Sequence, residues 1–485
     1  MLPLYEAMVG GNLYYVRDSY RVISYIKNSQ GNKVARDILS DEDLGELPKR
    51  SVKKIKVNNK LRKLLRNAIA RNQLFHGEKR ERKEAAFFIL DNIDAQNVVA
   101  LQSAQAKEAN ADVRDAIDTA LALHELKSSD SKGKRLDAID KLSGKLESTV
   151  RNEFEYLAGK NDDGEYNEID ADIRKAAEKA IGLIESRISF YGFIEKLFFG
   201  LSAGSVLLLA AIGLAITFGV MGVINMAHGE MIMLGAYTTY VVQQIMPNFL
   251  EISILVAIPA AFIVAALFGM IIEYLVIRRL HGRPLETLLA TFGISLILQQ
   301  LVRTIFSPLN RQVSTPEWMS GFWEINPVLA LTYNRIYIVI FSLIVFVALL
   351  LILKKTSLGL RVRAVSQNRA MAKSLGVKTE WVDSMTFGLG SGIAGVAGVA
   401  LSQITNVGPN LGQGYIIDSF MVVVFGGVGN ILGTFFAALS LGVANKFLEP
   451  ATGAVLAKIL VLVFIILFIQ RKPKGLFPQK GRAAE

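Results

Sequence analysis

Asn225, His228 and Glu230 stand together in "GVINMAHGEMIMLGAY" (Gly222 to Tyr237), between two long apolar stretches. An amide, an imidazole and a carboxylate so placed could bind a metal, move a proton, hold a solute or cap a helix. Metal binding is the weakest of these. The histidines, His76, His124, His228 and His281, lack the clustered spacing of metal ligands, and no cysteine is present to supply a thiolate or a disulfide. No G-x-x-x-x-G-K-[ST], H-E-x-x-H or G-x-S-x-G pattern occurs. The sequence therefore predicts no catalytic centre, no cofactor and no metal, and leaves solute binding and capping.

Both remaining uses depend on what surrounds the three residues. The chain has 485 residues, 51% of them hydrophobic. From Met1 to about Lys196 it is rich in Lys, Arg, Asp and Glu. From Leu197 onward come stretches such as "LSAGSVLLLAAIGLAITFGVMGV" and "AVLAKILVLVFIILFI". A bilayer core is crossed by about 20 mostly apolar helical residues. A soluble domain over 1–192 and a membrane domain over 193–485 are expected. Residues 197–485 hold 20 Lys/Arg against 11 Asp/Glu, most of the net charge of +11. The first part is nearly balanced, which argues against nucleic-acid binding.

Seven spans read as roughly 198–218, 230–246, 252–277, 285–306, 335–353, 383–404 and 454–470, and 416–446, interrupted by "GGVGN", reads as a re-entrant pair. Fifteen of the 20 cations cluster in "RRLHGR", in the 354–382 loop and in the tail (Arg471, Lys472, Lys474, Lys480, Arg482). Positive charge marks the cytoplasmic side. The tail then lies inside, and an odd number of crossings puts the N-terminal domain outside. The opening "MLPLYEAMVGGNLYYV" lacks the basic and apolar regions of a signal peptide. Either the chain begins upstream of it, which is the reading favoured, or export is driven otherwise, or the orientation is the reverse.

Within the soluble part, "DVRDAIDTAL" (Asp112 to Leu121) and "DIRKAAEKAI" (Asp172 to Ile181) repeat a pattern at a spacing of 60, with fainter echoes at 134–143 and 81–90. Acids near helix starts suit the macrodipole, and the alanines and aliphatics share one face. The pattern predicts a short stack of paired helices resembling HEAT repeats, or else an irregular helical bundle. "KNDDGEYNEID" (Lys160 to Asp170) lacks the twelfth-position glutamate of a calcium loop and reads as a solvated connection. The fold class expected is all-α: a polytopic membrane domain of seven to eight spans plus re-entrant segments, behind a helical soluble domain.

The 354–382 loop carries the clearest organisation. In "GLRVRAVSQNRAMAKSLGV" (Gly359 to Val377), Asn368, Met371, Ala372 and Leu375 fall at helical spacing, and Gly376 stops the helix. Arg361, Arg363, Arg369 and small Ala364 lie around it. Such a knob suits either a cleft on a partner or an anionic lipid surface.

This loop resembles the coupling helix of ABC-transporter permeases. "GLAITFGVMGVINMAHGEMIMLGAY" resembles the first-span region of the branched-chain amino acid permease family. "LETLLATFGISLILQQLVRTIF", "PEWMSG" and "GLFPQKGR" are similar to the urea-transporting branch of that family, and "NLYYVRD" and "IKVNNKLRKLL" to its N-terminal extension. The resemblance implies a multi-pass permease of the bacterial inner membrane. Its expected partners are a second permease subunit, two ATP-binding subunits and an extracytoplasmic substrate-binding protein, with membrane lipid around it. It also implies that Arg361, Arg363, Ala364, Asn368, Arg369, Met371, Ala372, Leu375 and Gly376 couple to the ATPase.

A charged side chain at the bilayer centre costs about 2.5–3.5 kcal/mol, so Glu230 must face protein, water or an interface. Gly222 and Gly229 permit a helix break there. The island is then either a cap and packing joint, with Glu230 in a first helical turn, or a wall of a solute pathway. Urea, neutral and planar, would need alternating donors and acceptors. Thr291, Ser295, Gln299 and Gln300 along one span, with Asn430 opposite, could supply them or could simply join helices. The expected function is a urea permease subunit. The same machine importing branched-chain amino acids or short amides is the alternative, and a membrane-anchored scaffold without transport is the reading of another class.

Overall fold

The structure, a computed structural model, describes residues 2–27, 33–45, 47–48, 50–92 and 94–477. Lys480, Arg482 and the end of "GLFPQKGR" lie outside the described residues. The chain divides into two compact units, Met1–Phe190 and Tyr191–Glu485.

The first unit is not all-α as expected. After α1 (Leu2–Val9), strands β1 (Leu13–Val16), β2 (Val22–Lys27), β3 (Lys33–Asp37) and β4 (Val52–Lys54) form an antiparallel sheet in the order β3-β2-β1-β4. β-Branched and aromatic residues at alternate positions favour this pleated surface. Ile23, Ala35 and Val52 are buried on it, and the Tyr14 and Tyr25 rings meet edge-on at 5.1 Å.

Helices then follow: α2 (Asn59–His76), α3 (Lys79–Asp91), α4 (Ala95–Gln105), α5 (Ala111–Ser128), α6 (Lys132–Leu142), α7 (Ser148–Ala158) and the start of α8 (Ala171–Met221). The sequence repeat at a spacing of 60 returns here as a repeated set of bonds. Asn110 Oδ1 accepts from the N–H groups of Asp112 and Val113, and Asp170 Oδ1 from those of Asp172 and Ile173. Arg114 donates to the Glu108 carbonyl, and Arg174 to the Glu168 carbonyl. The two glutamates accept from Arg82 of α3 and Arg135 of α6. Each repeat thus fastens a helix start to an earlier helix, over a core that includes Ile117, Leu123, Phe154, Ile173 and Ile184. In the loop 160–170, Asn161 Oδ1 accepts from the N–H groups of Asp163 and Glu165, closing a turn on itself.

The second unit takes the apolar end of α8, then α9 (His228–Ile245), α10 (Leu250–Leu275), α11 (Pro284–Phe306), the hairpin β5 (Phe322–Asn326) and β6 (Leu329–Thr332), α12 (Tyr333–Lys355), α13 (Ser357–Gln367), α14 (Arg369–Ser374), α15 (Thr379–Ser402), α16 (Leu411–Gly426), α17 (Ile431–Thr452) and α18 (Ala454–Arg471). Among the described residues seven helices are long and apolar enough to cross a membrane: α8, α10, α11, α12, α15, α17 and α18. α9, expected as the span 230–246, is not one of them because its polar residues lower its hydropathy, and α17 is.

Two opposed faces emerge from the contacts. On one, α12 leads into α13, and the turn after α16 packs against Lys474 and Phe477. On the other, Arg311 bridges Val407, Arg303 bonds Asn410, and Trp318 bonds the Glu251 carbonyl. The region 416–446 is therefore not a re-entrant pair. α16 starts on the second face and α17 ends there, while their turn reaches the first. Gly427 and Gly429 make that turn at φ 105° and 77°, and Asn430 Oδ1 caps α17 at the Gly433 N–H.

Close backbone approach holds α9 against α15. A methyl group on Gly235 would come within 1.9 Å of the Gly395 carbonyl oxygen. We expect Gly235→Val to abolish recovery of monodisperse protein. Gly182→Ala, in an open stretch of α8, should stabilise by about 0.5–1 kcal/mol, read as a raised Tm.

A second expectation concerns pH. The Arg82 guanidinium holds the buried Glu108 carboxyl below the usual carboxylate range, and the Asn110 N–H adds to this. A carboxyl lowered in the folded state stabilises above its unfolded pKa of about 4.3, and that contribution is lost as pH falls through the folded value. Thermal melts of the full chain from pH 6 to 3 should show a shallower loss of Tm in Glu108→Gln than in the unsubstituted protein.

Candidate functional site

The site begins where α8 ends. Gly222 adopts φ 66°, a left-handed conformation that stops the helix. The chain then doubles back without regular structure to His228, where α9 starts. His228 Nε2 donates to the Ala210 carbonyl at 2.9 Å. Ala210 lies about 16 Å along α8 from its end, at a rise of 1.5 Å per residue. Residues 222–227 thus climb back along α8 to about three turns before its end, and α9 opens there.

Backbone freed by this break is bonded locally and by α11. The Ala227 N–H donates to Asn225 Oδ1 at 3.0 Å, and the Met226 N–H to Thr291 Oγ1 at 3.1 Å. Glu230, in the first turn of α9, accepts at Oε1 from Ser295 Oγ at 2.8 Å and from Gln299 Nε2 at 2.7 Å. Gln299 also donates to Ser295 at 3.2 Å. Asn225, His228, Glu230, Thr291, Ser295 and Gln299 are all buried. Glu230 Oε2 and His228 Nδ1 are buried without a hydrogen-bond partner among the described residues.

The structure therefore joins six of the eight expected pathway residues and separates two. Gln300 points away from the cluster and is exposed. Asn430 caps α17 and donates to the Phe477 carbonyl at 3.1 Å, on the α13 face. The α11 residues that converge share i+4 spacing, continued by buried Thr287 before them and by Arg303 after them. Thr287 and Arg303 escaped the sequence reading, although the same spacing marks them.

A second buried carboxylate was also missed. Glu273 of α10 accepts from Arg278 at 3.1 Å and from Ser384 of α15, and Arg278 donates to Ser384 at 2.8 Å. Beside it Arg369 of α14 pairs with buried Asp383. An acid within an apolar run was its sequence signal, as for Glu230.

The 354–382 loop is two short helices rather than one. Asn368 Oδ1 caps α14 by accepting from the Met371 N–H at 2.9 Å. Ala372 is buried and Ala364 half-buried, while Met371 (57%), Leu375 (77%) and Leu360 (62%) are exposed. Arg363 donates to the Leu353 carbonyl, Arg361 lies over the Trp381 ring at 5.7 Å, and Gly376 closes the loop at φ 83°. Arg363 and Arg369 thus tie the helices to α12 and α15, and the outward face sets apolar Leu360, Met371 and Leu375 among exposed Arg361 and Lys373.

This corrects which side chains a partner could grip. If a partner subunit docks here, Met371→Asp with Leu375→Asp should cut its co-purification at least about tenfold, as loss of one or more interface anchors does. Arg369→Glu should instead lower the Tm of the isolated chain, because it leaves Asp383 buried and unpaired. A double variant that retains the partner would exclude this face.

Comparisons with known proteins bear on the second unit. Residues 196–469 match the family described as "Branched-chain amino acid transport system / permease component". The chain is 30% identical over 297 residues, 59% of its own length and 96% of the other's, to the high-affinity branched-chain amino acid transport system permease protein BraD of Pseudomonas aeruginosa. It is 29% identical, with the same coverage, to LivH of Escherichia coli K12, which carries the same description. It is also similar to the ribose import permease protein RbsC of that organism, at 28% over 53% of this chain and 78% of the other. No solved structure matches.

Proposed function

Because the chain belongs to the branched-chain amino acid transport system permease component family, we propose that it forms half of the membrane path of an ATP-driven importer. A permease component of this kind is not an enzyme. Its companions in this reading are a second permease, two ATP-binding subunits that dock on α13 and α14, and a solute-binding protein outside. The inner membrane of a bacterium is the setting.

The observation that carries the proposal is the broken backbone at 222–227 facing the polar ladder of α11. Irregular backbone at membrane depth persists where it is enclosed by protein or lines a water-filled cavity, and transporters use such breaks to bind solutes. Asn225, His228, Glu230, Thr291, Ser295 and Gln299 are the proposed pathway residues. The α13 face, which holds the clustered cations, is taken as cytoplasmic. Phe193 and Gly200 pack on Phe447 and Val443, toward the end of α17 on the opposite face. In this reading the chain enters the second unit from outside, and the first unit is extracytoplasmic. In this reading its repeated helix pairs act as a HEAT-like spacer or interaction domain.

For the solute we favour a branched-chain amino acid, as the names of BraD and LivH suggest. An aliphatic zwitterion needs an anion for its ammonium and a cation for its carboxylate. Glu230 has no bonded cation among the described residues, and Arg303 stands one turn beyond Gln299 on α11. Urea is the second reading, favoured by the neutral donors and acceptors at Thr291, Ser295 and Gln299.

Uptake of labelled leucine and labelled urea decides between them, in cells lacking this chain and complemented with it. Leucine uptake should depend on the chain and urea uptake should not; the reverse result reinstates urea. Gln299→Leu should lower uptake of the true solute about tenfold, since a hydrogen bond to a charged group is worth about 1.5–3 kcal/mol. Unchanged uptake with assembly intact would remove α11 from the path.

A further inference from the structure

On the α13 face a cavity of about 720 Å³ opens between α8, α12, α13, the turn before α17 and the chain around Phe477. Ile216, Val220, Leu350, Leu353, Ile431 and Phe477 form the apolar part of its wall, and Ser366 and Asn430 also line it. Two cations, Lys354 and Arg363, stand among them with Gln367. Arg363 is pinned by its bond to the Leu353 carbonyl, the last turn of α12, which leaves its other guanidinium N–H groups to project. Neither Lys354 nor Arg363 forms an ion pair with a carboxylate among the described residues. Lys354 and Lys355 also end the apolar run of α12, which places the cavity where hydrocarbon gives way to water.

We propose that this cavity binds a phospholipid with an anionic headgroup. The lipid phosphate lies between Lys354 Nζ and the Arg363 guanidinium, and an acyl chain lies along Ile216, Leu350 and Phe477. Three features select this occupant. Two unpaired cations at one rim call for an anion, and a guanidinium matches a phosphate through paired N–H donors. The apolar walls reward burial of hydrocarbon, which a soluble anion lacks. Basic pockets between membrane helices at the interface are suited to acidic lipid headgroups. The site is separate from the Glu230 cluster, and the inference does not rest on which solute is carried.

The test is native mass spectrometry of the full chain in detergent, titrated with phosphatidylglycerol and with phosphatidylcholine of the same acyl chains. Phosphatidylglycerol should bind roughly 25-fold more tightly, about fivefold for each of the two cations. Each cation contributes about 1 kcal/mol near an acidic lipid, or about fivefold. Lys354→Gln should therefore weaken that lipid about fivefold, and Lys354→Gln with Arg363→Gln roughly 25-fold, with phosphatidylcholine binding unchanged in both. Should the double variant not fold, Lys354→Gln alone decides, because Lys354 contributes no side-chain bond within the described residues. Inorganic phosphate and glycerol phosphate should not displace the lipid. Equal binding of the two lipids, a preference untouched by Lys354→Gln, or displacement by inorganic phosphate would each overturn the proposal. So would loss of the lipid when the ATP-binding subunits are added, which would give the cavity to them.

Discussion

A polypeptide within hydrocarbon cannot leave its N–H and C=O groups unbonded, since each costs several kcal/mol. The second unit violates helical continuity at 222–227 and must satisfy that rule by other means. It does so with side chains: Asn225 takes the Ala227 N–H, Thr291 takes the Met226 N–H, and His228 reaches the Ala210 carbonyl. These bonds fix where α9 begins and draw α11 to it. The position of Glu230 opposite Ser295 and Gln299 is a consequence, because both elements are already aligned by the Thr291 bond.

Keeping such a break in place needs a rigid surround, and small residues supply it. α9, α10 and α15 approach so closely that Gly395 meets Ala261 and Ala265 on one side while Gly235 meets Gly395. In a bilayer, close packing and polar bonds drive helix association, because lipid is as apolar as a leucine side chain. The helices around this core differ. α11, α12 and α18 expose Leu289, Ile344 and Leu467 among many large apolar residues, a surface for lipid or a second subunit. α11 is held to the core by Leu298, Val302 and Phe306, which packs on Tyr237, and by its polar ladder, where solute chemistry is proposed.

Much of this was legible beforehand, for identifiable reasons. Long apolar runs gave six of the seven expected spans, 230–246 being the exception, and the cost of Glu230 in hydrocarbon pointed to a break between Gly222 and Gly229. The repeat of Asp112-Val113-Arg114 at Asp172-Ile173-Arg174 marked equivalent helix starts, because caps are local chemistry. The sheet β1–β4 was not legible: its strands are short, carry Lys and Arg, and gain their stability from pairing between distant segments. The hairpin α16–α17 was read as re-entrant because "GGVGN" marks a turn without saying how deep it lies. Asn430 was misplaced for the same reason, since its role is set by the turn it caps. Arg363 and Arg369 looked like docking cations because a helical wheel shows charge but not the Leu353 carbonyl or Asp383 beneath it.

Glu230 and Glu273 make a final contrast. Both are buried acids in helices of the second unit, and both are bonded by a serine from a neighbouring helix. Glu273 also has Arg278, and its site closes on itself: serine, guanidinium and carboxylate bond one another, locking α10 to α15. Such a closed set explains its own retention, because removing any member leaves a buried polar group unpaired. Glu230 is different. Its two bonds come from neutral donors on one oxygen, and its other oxygen is unpartnered within the described residues. Structure alone does not account for an acid left so open, when a glutamine or a leucine would join α9 to α11 at lower cost. That second oxygen is the feature of the cluster most in keeping with the solute-facing role proposed for Glu230 above.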